Sequence, residues 1–480
     1  MKDLLLRALD TARAKGATYA DVRYVESEVQ VVAVKDGSVE AVTSDVSRGF
    51  GVRVIASGGW GFASSSRLTL AEMDVVAATG VRIAKASSSV LREAVDIGEP
   101  MKIEATYATP VQRDPFAVPL SEKVDLLLRA DAEMRGVKGV VVTQAATEIT
   151  RTKKIFASSE GSYIEQTLVE TGCGIEATAV GSGEVQNRSY PNSVGRHMGT
   201  EGWEFVQRYD LPGNARRIAE EAAALLQAKP CPSGARTIIL DGSQTALQVH
   251  ESCGHPIELD RVFGAEAAFA GTSFLTTEKL GAFRYGSELV NMTIDATIPG
   301  GLGTFGYDDE GVPAQRVAVV RDGIFTGYLT SRETAVKLGQ RSNGAARASG
   351  WDRLPLIRMT NVNLEPGPWT LDDLIADTDD GIYLQTNRSW SIDDRRLNFQ
   401  FGTEIAWEIK GGKLGDMIKN ATYTGITPEF WGSCDAICGG GDWVVWGTPN
   451  CGKGQPEQVG HVGHGAAPAR FRNVCVGVMS

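Results

Sequence analysis

The stretch His250–Asp260, reading HESCGHPIELD, constrains the fold more than any other part of the chain. It sets two of the five histidines five residues apart, with a glutamate directly after the first. Neutral imidazoles bind Zn²⁺ through nitrogen, and a nearby carboxylate that is not a ligand can accept a proton from water. In the H-E-x-x-H arrangement the histidines sit at i and i+4, about 40° apart around a helix, so both face one ion. At i and i+5 they stand about 140° apart, and an undistorted helix would not aim both at one point. Gly254 tolerates unusual backbone angles, and Pro256 lacks an N–H and breaks the helical ladder just after His255. A π-bulge, which inserts one residue into a turn, would return the rings to one side. The spacing therefore predicts a helix from about Ser243 that carries His250 and Glu251 and widens or ends near Gly254. The competing reading is an ordinary packed histidine, since His250 shares a helical face with Ala246, Val249 and Cys253.

At 480 residues the chain is too long for one ordinary core. With 42% hydrophobic and 22% charged residues it has a globular composition. No run of eighteen apolar residues occurs, and MKDLLLRALDTARAKG alternates charge with leucine as an amphipathic helix does, so neither a membrane span nor a secretory signal is expected. A net charge of −11 without a basic block argues against nucleic acid as the main partner. Seven cysteines, an odd number without an export signal, point to reduced thiols and a cytoplasmic setting.

Helical periodicity covers Lys2 to Lys15, and alternation from Tyr19 to about Ala63 implies three or more strands, with Asp36-Gly37 as a hairpin turn. Thr69 and Glu72 form a capping box for a second helix. The proline-bearing segment Gly98 to Pro119 reads as a linker. A second set follows: a helix from about Ser121 to Met134, strands between Val140 and Val169, and a helix from Ala215 to Ala228. After KPCPSG at Lys229, glycine and short β-like runs dominate. The expected class is α+β: N-terminal α/β units over 1–100 and 101–230, then a mostly antiparallel β C-terminal domain over 231–480 carrying the metal-binding helix.

A metal hydrolase ordinarily needs a third protein ligand. Cys253 and Glu258 are available locally, and Cys434, Cys438, Cys451, His461 and His464 at a distance; spacing does not choose among them. Cys451, in PNCGKGQP, fits a tight exposed loop presenting a thiolate. CDAIC at Cys434–Cys438 has the wrong spacing for a zinc knuckle or a C-x-x-C and reads as two free thiols. GLGTFG, with Gly301, Gly303 and Gly306, satisfies G-x-G-x-x-G, but the acidic Tyr307–Gly311 turn that follows would repel phosphate. It reads as a loop near the active site.

HESCGHPIELD resembles the H-E-x-x-x-H-x-x-E-x-D signature of the TldD/PmbA metalloproteases, specifically the TldD-type subunit that keeps the metal motif. RGFGVRVI near Arg48, IDATIPGGLGTFGYDDEGVPAQ from Ile294, RLPLIRMTNVNLEPG from Arg353, GIYL at Gly381 and NCGKGQP at Asn450 look like family blocks in family order. The resemblance implies a zinc peptidase in which His250, His255 and Cys451 hold Zn²⁺ and Glu251 is the general base. It also implies a heterodimer with a TldE/PmbA-type subunit, a homodimer being the variant of that expectation, and unfolded peptide as substrate. The alternative is a non-cleaving subunit that binds a peptide during its maturation. The roles of His461, His464 and Cys253 stay open at this level.

Overall fold

The computed structural model describes every residue except 182, 194–196 and 478–480. The fold is α+β with mostly antiparallel sheets. Among the described residues no helix is long and apolar enough to cross a membrane.

Alternating sequence in the first half yields very long strands. Tyr19–Lys35, Ser38–Ala56, Val140–Ser158 and Tyr163–Gly181 form the middle of one eight-stranded sheet. Asp36 and Gly37, both at positive φ, turn the first hairpin. The segment from Gly98 to Pro119 is more than a connector. Its residues Glu104–Ala108 pair in parallel with Tyr163–Gly181 and extend this sheet. The strand is half exposed along its length, so it lacks the apolar alternation that marks a strand in sequence.

Side chains alternate between the two faces of a strand, so residue parity assigns them. Val22, Tyr24, Val32 and Val34 point to one face, together with Ile149, Ile155, Cys173 and Ile175. Helices Lys2–Ala14 and Leu70–Ser87 cover one end of that face, and Leu120–Arg135 and Leu211–Leu225 the other. Each helix pair makes its own core on the shared sheet. The opposite parity, including Glu148, Thr150, Thr152 and Lys154, faces the C-terminal half.

In that half, Asp380–Ile392, Gly234–Leu240, Ala469–Val476, Thr422–Ile426 and Asn398–Lys410 pair in turn, and the last returns to pair with the first. The ring is closed, which removes exposed edges, and Ile238, Leu384, Phe401, Tyr423 and Phe471 belong to its core. The acidic turn after GLGTFG fastens the two halves. Asp309 pairs with Lys154 and Arg23, and Glu310 with Arg53, all across to the first sheet. Gly303 packs so closely that a Cβ there would lie 2.3 Å from the Thr360 carbonyl carbon, a tight approach that explains the glycine without any nucleotide.

Candidate metal centre

Strand Gly234–Leu240 delivers the chain to Asp241, whose carboxylate accepts a hydrogen bond of 2.7 Å from the Gln244 amide and caps the helix Gly242–Val249. The helix then widens, as its spacing predicts. Residues His250–Gly254 form a π-turn in which the His255 amide donates to the His250 carbonyl, five residues back, at 3.1 Å. The two imidazoles meet edge to face with centroids 4.9 Å apart. Gly254 serves a different purpose from the one its sequence context suggests. Its φ is not positive; instead a Cβ would lie 2.3 Å from the Met359 sulfur, so packing requires the glycine.

Cys451 reaches the same place from the strand Val444–Lys453, paired opposite Gly460 in a hairpin with Gln458–Ala466. Its sulfur lies 3.8 Å from His255 Nε2. The thiol is 4% exposed, so PNCGKGQP is not the exposed loop that its turn residues suggest; only the tip beyond Lys453 turns. Lys453, fully buried, ties this strand to the histidine motif. Its ammonium lies 2.7 Å from Asp260 and 3.4 Å from Glu258 and donates to the Ile357 carbonyl at 2.8 Å. The last two acidic residues of HESCGHPIELD therefore hold the cysteine strand in register, a contact between positions almost two hundred apart that no local pattern announces.

Hydrogen bonds behind the histidines determine which ring nitrogen each presents. The Val362 carbonyl can only accept, so His464 Nδ1, 3.0 Å away, carries a proton. Burial, with His250 beside it, holds His464 far below its ordinary pKa, so the ring is neutral and its Nε2 accepts. His250 Nδ1 donates to that Nε2 at 2.7 Å, which leaves His250 Nε2 with a free lone pair. His255 Nδ1 likewise lies 3.1 Å from Glu258 Oε2, which leaves its Nε2 free on the side of Cys451. Burial alone would raise the Glu258 carboxyl, but Lys453, His255 and Arg261 outweigh it and hold the group well below the usual carboxylate range.

The same balance favours a ligand-ready cysteine. Burial pushes the Cys451 thiol up, but opposing influences led by the Arg358 guanidinium bring it below its ordinary value. Burial lowers both His250 and His255, so they stay neutral. Their three donor atoms lie within 4.8 Å of one another, and all three residues are buried. A tetrahedral ion with bonds of about 2.1 Å to nitrogen and 2.3 Å to sulfur would separate such ligands by roughly 3.6 Å. The donor set and its spacing fit a metal ion of the nitrogen- and sulfur-binding kind.

Glu251 faces the same cavity of about 250 Å³, 5% exposed, and Arg396 Nη1 donates to its Oε2 at 2.8 Å. Trp390, Asn387, Trp446 and Asn450 contribute to the walls. Arg396 comes from the turn between the strands Asp380–Ile392 and Asn398–Lys410, where sequence alone gives no sign of a site residue.

The other candidates lie elsewhere. Cys253 points into the apolar core, where burial pushes its thiol up to about 12. Cys434 and Cys438 are buried in cores and free. His461 pairs with Glu170 at 2.7 Å beside a different cavity. The Gly301–Gly306 loop borders that second cavity through Leu302, Thr304 and Phe305 and packs on Gly463, next to His464.

Comparison with known proteins agrees over the whole length. Profiles described as PmbA/TldA metallopeptidase domain 1, central domain and C-terminal domain match residues 20–84, 113–229 and 233–473. A protein named metalloprotease from Methanothermobacter thermautotrophicus is 34% identical over 462 residues, covering 96% of this chain and 95% of the relative. A metalloprotease TldD homolog from Haemophilus influenzae is 27% identical over 95% of this chain and 92% of its own. The crystal structure of TldE from Thermococcus kodakarensis has the same fold, with a TM-score of 0.76 at 16% identity, covering 99% of this chain and 100% of that one. The chain belongs to the TldD/PmbA family of metallopeptidases.

Proposed function

We propose that this chain is a zinc-dependent peptidase in which His250, His255 and Cys451 hold the ion and Glu251 is the general base. The observation that carries the reading is the convergence of two neutral imidazoles and an acidified thiol beside a buried carboxylate. When bound, the ion supplies Lewis-acid chemistry, polarising a carbonyl and easing the ionisation of water. Glu251 accepts the proton of the attacking water and returns it to the departing amide nitrogen. Arg396 fixes that carboxylate by its bond to Oε2, which leaves Oε1 to take the proton. His464 and Glu258 keep the two imidazoles in the orientation that exposes Nε2.

A cavity of about 250 Å³ admits an extended chain and excludes a folded domain, which supports unfolded or small peptides as substrate. A TldE/PmbA-type subunit is the proposed partner, on the strength of the TldD name of a full-length relative and the fold shared with TldE. Seven free cysteines support a cytoplasmic setting.

Glu251→Gln should retain the metal by elemental analysis and lose hydrolysis of an unstructured peptide, whereas His250→Ala should lose the metal as well. Mass spectrometry of the peptide incubated with this chain, alone and with a TldE-type subunit, reads out cleavage. Intact peptide in every mixture, with metal bound, would favour the non-cleaving peptide-binding subunit. Wild-type turnover by Glu251→Gln would remove Glu251 from the mechanism.

A further inference from the structure

A second cavity of about 410 Å³ lies between the two halves of the molecule, and it touches the metal centre through Arg358, which lines it. Its volume is within the range of small-ligand sites, roughly 300–1,000 Å³. The floor is the uncovered face of the first sheet. Strand alternation brings Glu148, Thr150, Thr152 and Lys154 up from Val140–Ser158 onto that face. The roof, from the C-terminal half, carries two neighbouring arginines, Arg347 and Arg358.

The charges are unevenly matched. Lys154 is held by Asp309 at 3.1 Å, and His461 and Glu170 hold each other at 2.7 Å. Among the described residues no carboxylate lies within ion-pair distance of Arg347 or Arg358. Their guanidinium groups donate to backbone carbonyls: Arg347 to Met359 and His461, Arg358 to Cys451 and Gln458. The Nε of each is buried with no hydrogen-bond partner. Arg358 is 2% exposed. Burial and the adjacent Arg358 lower Arg347 to about 10, and the more distant Asp309, Glu170 and Cys451 offset this only in part. Arg358 is buried and Arg347 half-buried over the Phe305 ring, and a guanidinium so placed with no carboxylate at ion-pair distance favours an anion that completes it.

We propose that this cavity binds a carboxylate, with Arg347 as the principal contact and Arg358 reinforcing the field, and that the ligand is the carboxylate of a short peptide. Glu148 and Glu170 on the opposite wall disfavour a dianion such as phosphate, whereas a monoanion attached to neutral peptide groups suits a wall whose other polar groups are mostly uncharged, Thr150, Thr152 and Gln166 among them, with Lys154 already held by Asp309. That the carboxylate belongs to a peptide rests on the peptidase reading; the presence of a carboxylate site does not. The source is either the peptide C-terminus or an acidic side chain, both of the same chemistry. Arg358 also donates to the Cys451 carbonyl, so the cavity and the metal centre share a wall along the Cys451–Gly460 hairpin.

Calorimetry with the full chain, under chelator so that no hydrolysis intervenes, tests this with N-acetyl-tetra-alanine as free acid, as C-terminal amide, and as an amide with one alanine replaced by glutamate. The free acid or the glutamate amide should bind at least tenfold more tightly than the neutral amide, and which of them does so identifies the source. Arg347→Gln should reduce that ratio below threefold, with an unchanged thermal midpoint reporting that the fold is intact. Arg347→Lys, which keeps the charge, should retain part of the preference. Equal binding of acid and amide by the wild-type chain, or an undiminished ratio in Arg347→Gln, overturns the proposal. Loss of cleavage after metal is restored would instead count against the peptidase reading and leave the binding ratio untouched.

Discussion

Replacing His464 isolates the contribution of a residue that lies behind the metal centre. In His464→Phe the ring volume is kept, but His250 Nδ1 loses the acceptor now 2.7 Å away, and the Val362 carbonyl loses its donor at 3.0 Å. A buried donor left without a partner costs about 1–3 kcal/mol. His250 can recover part of this by moving its proton to Nε2, and that is the nitrogen whose lone pair faces Cys451 and His255. Metal binding then competes with the tautomer, and outer-shell losses of this kind weaken affinity by about 10–100-fold, or roughly 1.4–2.7 kcal/mol. Zn²⁺ titration in competition with a chromophoric chelator measures it. His464→Gln provides the control. Its amide oxygen can accept from His250 while its NH₂ donates to Val362, so affinity should return to within about threefold of wild type. A phenylalanine variant that binds zinc as tightly as wild type would refute the argument that this hydrogen-bond chain selects the ligating nitrogen.

Lys453→Met removes the buried cation that Glu258 and Asp260 share, leaving Asp260 without a cation and Glu258 with Arg261 alone; about 3–5 kcal/mol of stability should be lost, read as a large fall in thermal midpoint. Asp241→Asn should flatten part of the pH profile. Burial pushes this carboxyl up to about 6, so the folded state takes up a proton more readily than the unfolded one, whose group titrates near 3.9. The stability it confers is complete below about pH 4 and is lost as pH rises through 6, by about 3 kcal/mol in all. The asparagine variant still caps the helix and should match wild type at low pH and melt higher at pH 8; parallel profiles for the two proteins would exclude this role. Gly254→Ala should cost about 1–3 kcal/mol by overpacking against Met359, and Met359→Ala in the same chain should recover most of it if the clash is the cause.

What sequence could reveal here was whatever a short window contains. The i, i+5 histidines and Pro256 demand a widened turn, and the π-turn at His250–Gly254 supplies it. Long alternation gave the strands of the first half, and Thr69 gave a helix start that its hydroxyl indeed caps, accepting from the Glu72 amide at 3.2 Å. The partners that make the centre work are invisible in such a window. Lys453 meets Asp260, His464 meets His250 and Arg396 meets Glu251 only after the barrel has closed. The proline, glycine and asparagine around Cys451 are turn formers and suggest exposure, yet the turn falls just beyond Lys453 and the cysteine itself is buried within a half-exposed strand. The strand Glu104–Ala108 was missed for the opposite reason, since half-exposed residues carry little apolar signal.

The hairpin that bears Cys451 has a consequence for how this protein is made. Two of the three clustered groups are encoded at the middle of the message and the third some two hundred codons later, on the strand that Lys453 ties to Asp260. A chain still leaving the ribosome carries two imidazoles and no thiolate beside them. The three side chains that could hold an ion therefore come together only after synthesis has passed residue 453.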